Sequence, residues 1–109
     1  MTATLQPGEL DALLHTQPAR KVMLLDVRRR ADYESDPGRI PGAEWRDPEQ
    51  VAAWSAGLAP DRRLVVYCAR GGSVSRSVAA ALAEKGIAVE YLEGGIAAWK
   101  ASGRTTVSQ

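Results

Sequence analysis

The stretch Leu64-Val65-Val66-Tyr67-Cys68-Ala69-Arg70-Gly71-Gly72-Ser73-Val74-Ser75-Arg76-Ser77, running on through Val78 to Glu84, decides the fold. Leu64 to Tyr67 is a short apolar run rich in β-branched residues, bounded by charge on its N-terminal side. Such a run reads as a buried strand. Cys68 stands where that strand ends. Ala69 to Ser73 contains two glycines and an arginine. From Val74 the period changes: Val74, Val78, Ala81 and Leu82 fall at i, i+4, i+7 and i+8, one face of a helix. The reading is strand, cysteine, glycine-rich loop, helix. A helix N-terminus carries free N–H groups and partial positive charge. Gly71 and Gly72 allow the loop backbone to turn further N–H groups inward, as anion-binding nests do. A thiol facing those groups is expected to react as thiolate.

A lone free cysteine is, as a rule, a small buried hydrophobe. The surroundings of Cys68 argue for a reactive group instead. The carboxyl end of a strand is where open α/β sheets place their ligand sites. No bulky apolar side chain follows before Val74, and Arg70 and Arg76 are nearby.

The chain has 109 residues, enough for one domain with one core. A hydrophobic share of 45% and a charged share of 25% are those of an ordinary globular protein. The net charge of +1 gives no case for nucleic acid or an anionic membrane as a partner. One Cys and one His allow neither an internal disulfide nor a conventional zinc site, and no cofactor is implied. The opening residues MTATLQPGEL lack a basic region followed by an apolar one, so no signal peptide is expected. No run approaches membrane-spanning length. The expected location is the cytoplasm, where a free thiol stays reduced.

Outward from the central stretch, strands and helices alternate. Thr2 to Leu5 suits a short edge strand. Pro7 suits a helix start, and Leu10, Leu13 and Leu14 give that helix an apolar face. His15 near its end reads as a solvated, dipole-facing residue. Lys21 to Val27 is a continuous apolar strand, as for a parallel strand covered on both faces. It ends in the acid Asp26. Arg29 and Arg30 read as solvated, whereas Arg28 is placed to pair with a carboxylate and fix the loop. Ala31 to Ser35 suits a helical turn. Pro41-Gly42 marks a type II turn, with a brief strand at Ala43 to Trp45. Asp47-Pro48 opens a helix as cap and first residue, with Val51, Trp54 and Leu58 inward. A strand centred on Val89 to Tyr91 is broken by Glu93-Gly94-Gly95. Ile96 and Trp99 mark a last short helix, stopped by Gly103, and residues 104–109 are expected to form a flexible tail. The pattern implies one α/β domain over 1–109: a three-layer α/β/α arrangement around a mainly parallel sheet of about five short strands. Right-handed crossovers bring Asp26, Cys68 and the Glu93-Gly94-Gly95 turn to one sheet edge.

Taken together, these residues resemble the rhodanese (sulfurtransferase) family in its short single-domain form. Four segments carry the resemblance: Leu25-Asp26-Val27-Arg28; Gly38-Arg39-Ile40-Pro41-Gly42-Ala43; Val66-Tyr67-Cys68 with its glycine loop; and Leu92-Glu93-Gly94-Gly95-Ile96-Ala97-Ala98-Trp99. The resemblance implies a rhodanese-like fold and Cys68 as the sulfur-accepting nucleophile. It implies an active-site loop from Cys68 to Arg76, in which Ala69, Arg70, Gly71, Gly72, Ser73, Val74, Ser75 and Arg76 hold the substrate. Asp26 and Arg28 become structural supports at the pocket edge. The expected reaction takes a sulfane sulfur from a small donor such as thiosulfate onto Cys68 as a persulfide. A thiol or cyanide then removes it, in two-step covalent catalysis. With no second Cys, the acceptor must be external, and an acceptor protein is left unnamed.

Two departures stand out. Short rhodaneses usually carry Cys-x-x-Gly-x-Arg-Ser, whereas here Arg76-Ser77 comes later. Three extra residues are therefore expected between cysteine and helix, giving a wider mouth or a reshaped first turn. The usual Gly-His-Ile-Pro-Gly-Ala has Arg39 in the histidine position, from which a local change in packing or charge is expected. One competing reading is a phosphatase or arsenate reductase of related fold. Such an enzyme wants Cys-x5-Arg so that a guanidinium clamps the oxyanion, and that position is Val74. The other is a non-catalytic rhodanese-like module that binds a partner or senses oxidants through Cys68.

Overall fold

The computed structural model describes residues 3–17, 21–58, 62–70 and 72–107. The elements alternate: β1 (Ala3–Leu5), α1 (Pro7–Thr16), β2 (Val22–Asp26), α2 (Arg30–Ser35), β3 (Glu44–Trp45), α3 (Val51–Ser55, entered through a 3₁₀ turn at Pro48–Gln50), β4 (Arg63–Tyr67), α4 (Ser73–Glu84), β5 (Val89–Leu92) and α5 (Gly95–Ala101). The five strands form one sheet in the order β1-β5-β4-β2-β3. Each pairing is parallel. β2 and β4 are the long inner pair, in register from Val22 opposite Arg63 to Asp26 opposite Tyr67. The expected three-layer α/β/α architecture is the one observed.

Strand alternation sorts side chains between two cores. Leu24, Val65, Tyr67 and Leu92 pack with Leu10 and Leu13 of α1 and Ile96 and Trp99 of α5. Leu25, Leu64, Val66, Cys68 and Val89 pack on the other face with Val78, Ala79 and Leu82 of α4, and Val51 and Trp54 join them from α3. Cys68 therefore continues the α4-facing row of β4, and its neighbour Tyr67 points the opposite way.

Asp47 caps the 3₁₀ turn as its motif implies, accepting from Glu49 N–H at 2.9 Å. At Pro41-Gly42, Gly42 takes a φ of +88°, and Ala43 N–H closes on the Ile40 carbonyl. His15 is exposed on α1, beside Asp11 at 3.0 Å.

The flexible tail expected from residue 104 does not describe 104–107. Arg39 and Val107 exchange both backbone hydrogen bonds at 2.8 Å. Trp99 Nε1 donates to the Thr105 carbonyl, and Arg104 Nε donates to Asp11. Backbone pairing to the 38–40 segment outweighs the polar composition that suggested fraying. Ser108 and Gln109, like Thr2 of the expected first strand, lie outside the described residues.

A buried ion pair joins the inner strands to the loop beyond them. Arg28 is 2% exposed and Asp26 is fully buried. Arg28 Nε and Nη2 donate to the Asp26 carboxylate at 2.6–3.0 Å, and the Arg28 backbone N–H adds a bond of 3.0 Å. The guanidinium also donates to the carbonyls of Asp36 and Gly38, at 2.8 and 2.9 Å. Tyr67 donates its hydroxyl hydrogen to Asp26 and accepts from Ile40 N–H, both at 3.2 Å. Burial foremost, then the Asp26 charge, pushes the Tyr67 hydroxyl far above its ordinary pKa, so it stays a donor. Burial pulls the Arg28 pKa down, but the bonds and charge of Asp26 outweigh it and hold it above its usual value.

Because the pair is buried, removing one member strands the other. Asp26→Ala is expected to cost about 3–5 kcal/mol, read as a fall in urea midpoint at unchanged m. Tyr67→Phe should cost less, about 1–3 kcal/mol, for the bonds it leaves unmade. Equal, small losses for both variants would show that the ion pair contributes no more than the tyrosine hydroxyl.

Candidate functional site: the Cys68 loop

Cys68 lies immediately after β4, in the row that faces α4, and is 4% exposed. Its Sγ is 3.3 Å from Ser75 Oγ, and Ser75 Oγ is 3.5 Å from the Gly72 carbonyl. Ser75 is fully buried. The thiol hydrogen thus points to the hydroxyl, and the hydroxyl hydrogen to the loop. A hydroxyl both donates and accepts, so Ser75 can turn its hydrogen onto the sulfur when Cys68 is the anion.

The loop is shorter than its sequence suggests. Gly72 is the N-cap of α4 and Ser73 its first residue. The first bond of the helix runs from Arg76 N–H to the Gly72 carbonyl at 3.3 Å. Ser73, five residues after Cys68, is already helical, so the three extra residues expected between cysteine and helix are not found, and the last four residues of the expected loop from Cys68 to Arg76 belong to α4. A serine-rich start and Gly72 as cap let the helix begin ahead of its first apolar residue, Val74. The N–H groups of Ser73, Val74 and Ser75 precede the intrahelical ladder, on the turn that carries the cysteine's hydroxyl partner.

The expected substrate-holding residues divide. Ser75 touches the sulfur. Val74 is half-buried against the α3–α4 core. Ser73 lines, with Arg29 and Ser77, a shallow cleft of about 240 Å³ beside α3. Ala69 and Arg70 line a second cleft of about 300 Å³ with Asp32, Asp36 and Lys100. Arg70 and Arg76 are both exposed. Gly71 lies outside the described residues. Arg29, read from the sequence as merely solvated, lines the cleft that Ser73 and Ser77 share. Nothing in its local sequence distinguishes it from Arg30. A larger concavity of about 750 Å³, lined by Leu14, His15, Val22, Arg62 and Arg104, sits by the start of β2 and does not include Cys68.

The other end of the loop is clamped by α5. Ile96 N–H donates to the Cys68 carbonyl and Ala97 N–H to the Ala69 carbonyl, each at 3.0 Å. These are first-turn donors, which a helix itself leaves unused. The approach depends on Gly94, the N-cap of α5, with a φ of +77°. A Cβ there would collide with the Cβ of Ala98. Asp26, Cys68 and the Glu93-Gly94-Gly95 turn thus meet at the sheet's carboxyl edge. Asp26 and Arg28 do so as scaffold: the Asp26 partner Tyr67 is the residue before the cysteine.

A parallel three-layer α/β domain, with one thiol at the carboxyl end of an inner strand against a helix start, defines a class of cysteine-loop proteins. The model of the rhodanese-like domain matches residues 6–102, and this chain belongs to that family. No curated protein matches the sequence. Solved structures do. A protein from Anabaena sp. shares 33% identity, with 96% of this chain and 82% of that chain covered and a TM-score of 0.80. A protein of unknown function from Rhodopseudomonas palustris, described as a possible tyrosine phosphatase, shares 30% identity over 97% of this chain and 85% of that one, with a TM-score of 0.82. A thiosulfate sulfurtransferase from Pseudomonas aeruginosa shares 28% identity and a TM-score of 0.81, over 99% of this chain but 20% of its own.

Ser75→Ala is expected to slow alkylation of Cys68 by iodoacetamide about tenfold or more, the value of a hydrogen bond to a charged group. An unchanged rate would mean that the hydroxyl does not serve the thiolate. Gly94→Ala should lower stability by at least about 1–2 kcal/mol, the cost of left-handed backbone with a Cβ. Its melting temperature measures this, and an unchanged value would contradict the clamp.

Proposed function

We propose that this chain is a sulfurtransferase that carries a sulfane sulfur on Cys68. The observation that carries the reading is the sulfur itself, at the end of β4 and 3.3 Å from the buried Ser75 hydroxyl on the first turn of α4. The Cys68 thiolate attacks the outer sulfur of a donor such as thiosulfate. The donor's S–S bond breaks, and sulfite leaves with the electron pair. Cys68 then bears a persulfide. A thiolate or cyanide attacks its outer sulfur, the new S–S bond breaks, and the Cys68 thiolate returns. The N–H groups of Ser73 to Ser75 and the positive end of α4 suit the anionic donor and the persulfide alike. Arg70, exposed at the loop, supplies charge to steer an anion. No helix among the described residues is long and apolar enough to cross a membrane. A reducing cytoplasm suits a thiol that must be regenerated.

Oxyanion chemistry of the phosphatase kind is the competing reading. It asks for a guanidinium clamped over the substrate. Six residues after Cys68 stands Val74, and the next arginine, Arg76, is exposed on the helix. A non-catalytic module is the third reading.

Intact-protein mass after brief exposure to thiosulfate separates the three. The expected result is a gain of one sulfur, absent from Cys68→Ala and reversed by cyanide. Arylphosphate hydrolysis lost in Cys68→Ser would establish the phosphatase. Neither activity, with thiosulfate, a mercapto-acid or glutathione persulfide as donor, would leave the binding module. Arg70→Ala should raise KM for thiosulfate more than it lowers kcat, the mark of uniform binding. An unchanged KM would place Arg70 outside donor binding.

A further inference from the structure

Arg29 and Glu49 line one cleft, carry opposite charges, and leave both unmatched. The cleft, about 240 Å³, lies beside the Cys68 loop between α3 and α4. Arg29 is the N-cap of α2, and its backbone is held by the bond from Tyr33 N–H to its carbonyl at 3.0 Å. Glu49 sits in the turn before α3, with its own N–H bonded to Asp47 at 2.9 Å. Both residues are exposed. Among the described residues, neither side chain has an ion-pair or hydrogen-bond partner, and they do not pair with each other.

This cleft is on the side of the loop to which the sulfur points. Its apolar floor, Val51, Val74 and Val78, packs in the same core as Cys68. Ser73 and Ser77 add hydroxyls from successive turns of α4. A purely anionic donor meets Glu49 there as a like charge, so the pair does not single out thiosulfate. A ligand with both charges answers both side chains, and a ligand that lacks one leaves a charge unanswered. The reaction assigned to Cys68 needs an external thiol to unload the persulfide, because the chain has one cysteine. The cleft is smaller than the roughly 300 Å³ at which drug-sized sites begin, which limits that thiol to about the size of one amino acid.

We propose that Arg29 and Glu49 select the acceptor of the persulfide sulfur, a small thiol that carries both a carboxylate and an ammonium group. The proposal rests on the sulfurtransferase reading of Cys68 and names its second substrate. Arg29 takes the carboxylate and Glu49 the ammonium. The acceptor gives its thiol proton to solvent, and its sulfur attacks the outer sulfur of the persulfide. The bond from that outer sulfur to Cys68 Sγ breaks, and Cys68 leaves as thiolate with the electron pair. The acceptor departs as a persulfide.

The test loads the whole chain with sulfur from thiosulfate, removes the donor, and follows discharge of the persulfide by intact-protein mass. Four thiols are compared at equal thiolate concentration: cysteine with both charges, cysteamine with the ammonium, 3-mercaptopropionate with the carboxylate, and 2-mercaptoethanol with neither. Cysteine is expected to half-saturate the reaction at a concentration about fivefold or more below the others, as a pair of exposed charge contacts allows. Arg29→Gln should raise that concentration for cysteine and 3-mercaptopropionate alone, and Glu49→Gln for cysteine and cysteamine alone. Both are changes at exposed positions. Equal discharge by all four thiols, or variants that shift none of them selectively, would overturn the proposal. A chain that never gains sulfur overturns the sulfurtransferase reading instead. The cleft is then read with unreactive S-methylcysteine on ¹⁵N-labelled protein. A saturable shift of the Ser73 and Ser77 amides, weakened in Glu49→Gln, supports recognition of the paired charges, and no such shift overturns it.

Discussion

The buried pair of Asp26 and Arg28 is the constraint on which the rest of the structure hangs. Two charges two residues apart leave water together at the end of β2, and each finds its full set of partners there. Tyr67 reaches across from β4 to share the carboxylate, and the guanidinium gathers the carbonyls of Asp36 and Gly38. A segment with little apolar content of its own, 36–40, is thereby tied to the sheet. Such a network is worth less as net stability than as specification. Its partners cannot be exchanged for water or for one another without stranding a buried charge.

That network also fixes the register of the strand that carries the thiol. Tyr67 points into the α1–α5 core to meet Asp26, so the next residue, Cys68, must point to α4. The two backbone bonds from α5 hold the carbonyls at 68 and 69, while Ser75 meets the sulfur from α4. A nucleophile is useful only where a donor can be positioned against it. Here the sulfur is almost wholly covered, with one hydroxyl beside it, and clefts open to either side of the loop.

Much of this was legible in the chain. Leu64 to Tyr67 and Lys21 to Val27 were readable as the inner strands, because a parallel strand covered on both faces shows a near-continuous apolar run. The helix periodicity of Val78 to Leu82 and the glycine turns gave the order of elements. Arg28 was readable as a carboxylate's partner, and the structure shows that the carboxylate is Asp26. The start of α4 was legible to within one residue: the apolar period begins at Val74, and the cap geometry at Gly72 shows that Ser73 is already helical. The closing stretch misled: polar composition suggested fraying, but its backbone pairs with Arg39, a partner far away in sequence.

The sequence by itself determined the alternation of strands and helices, the alternation that sets Tyr67 and Cys68 on opposite faces of the sheet, and the glycines without which the turns would be strained. Those are local properties, set by periodicity and by backbone sterics within a few residues. The tertiary structure alone decided which side chains meet: Tyr67 on Asp26, Ser75 on Cys68, the first turn of α5 on the loop, and Arg29 and Glu49 on one cleft. Such meetings depend on how crossovers stack distant segments, and no single stretch of chain carries that information.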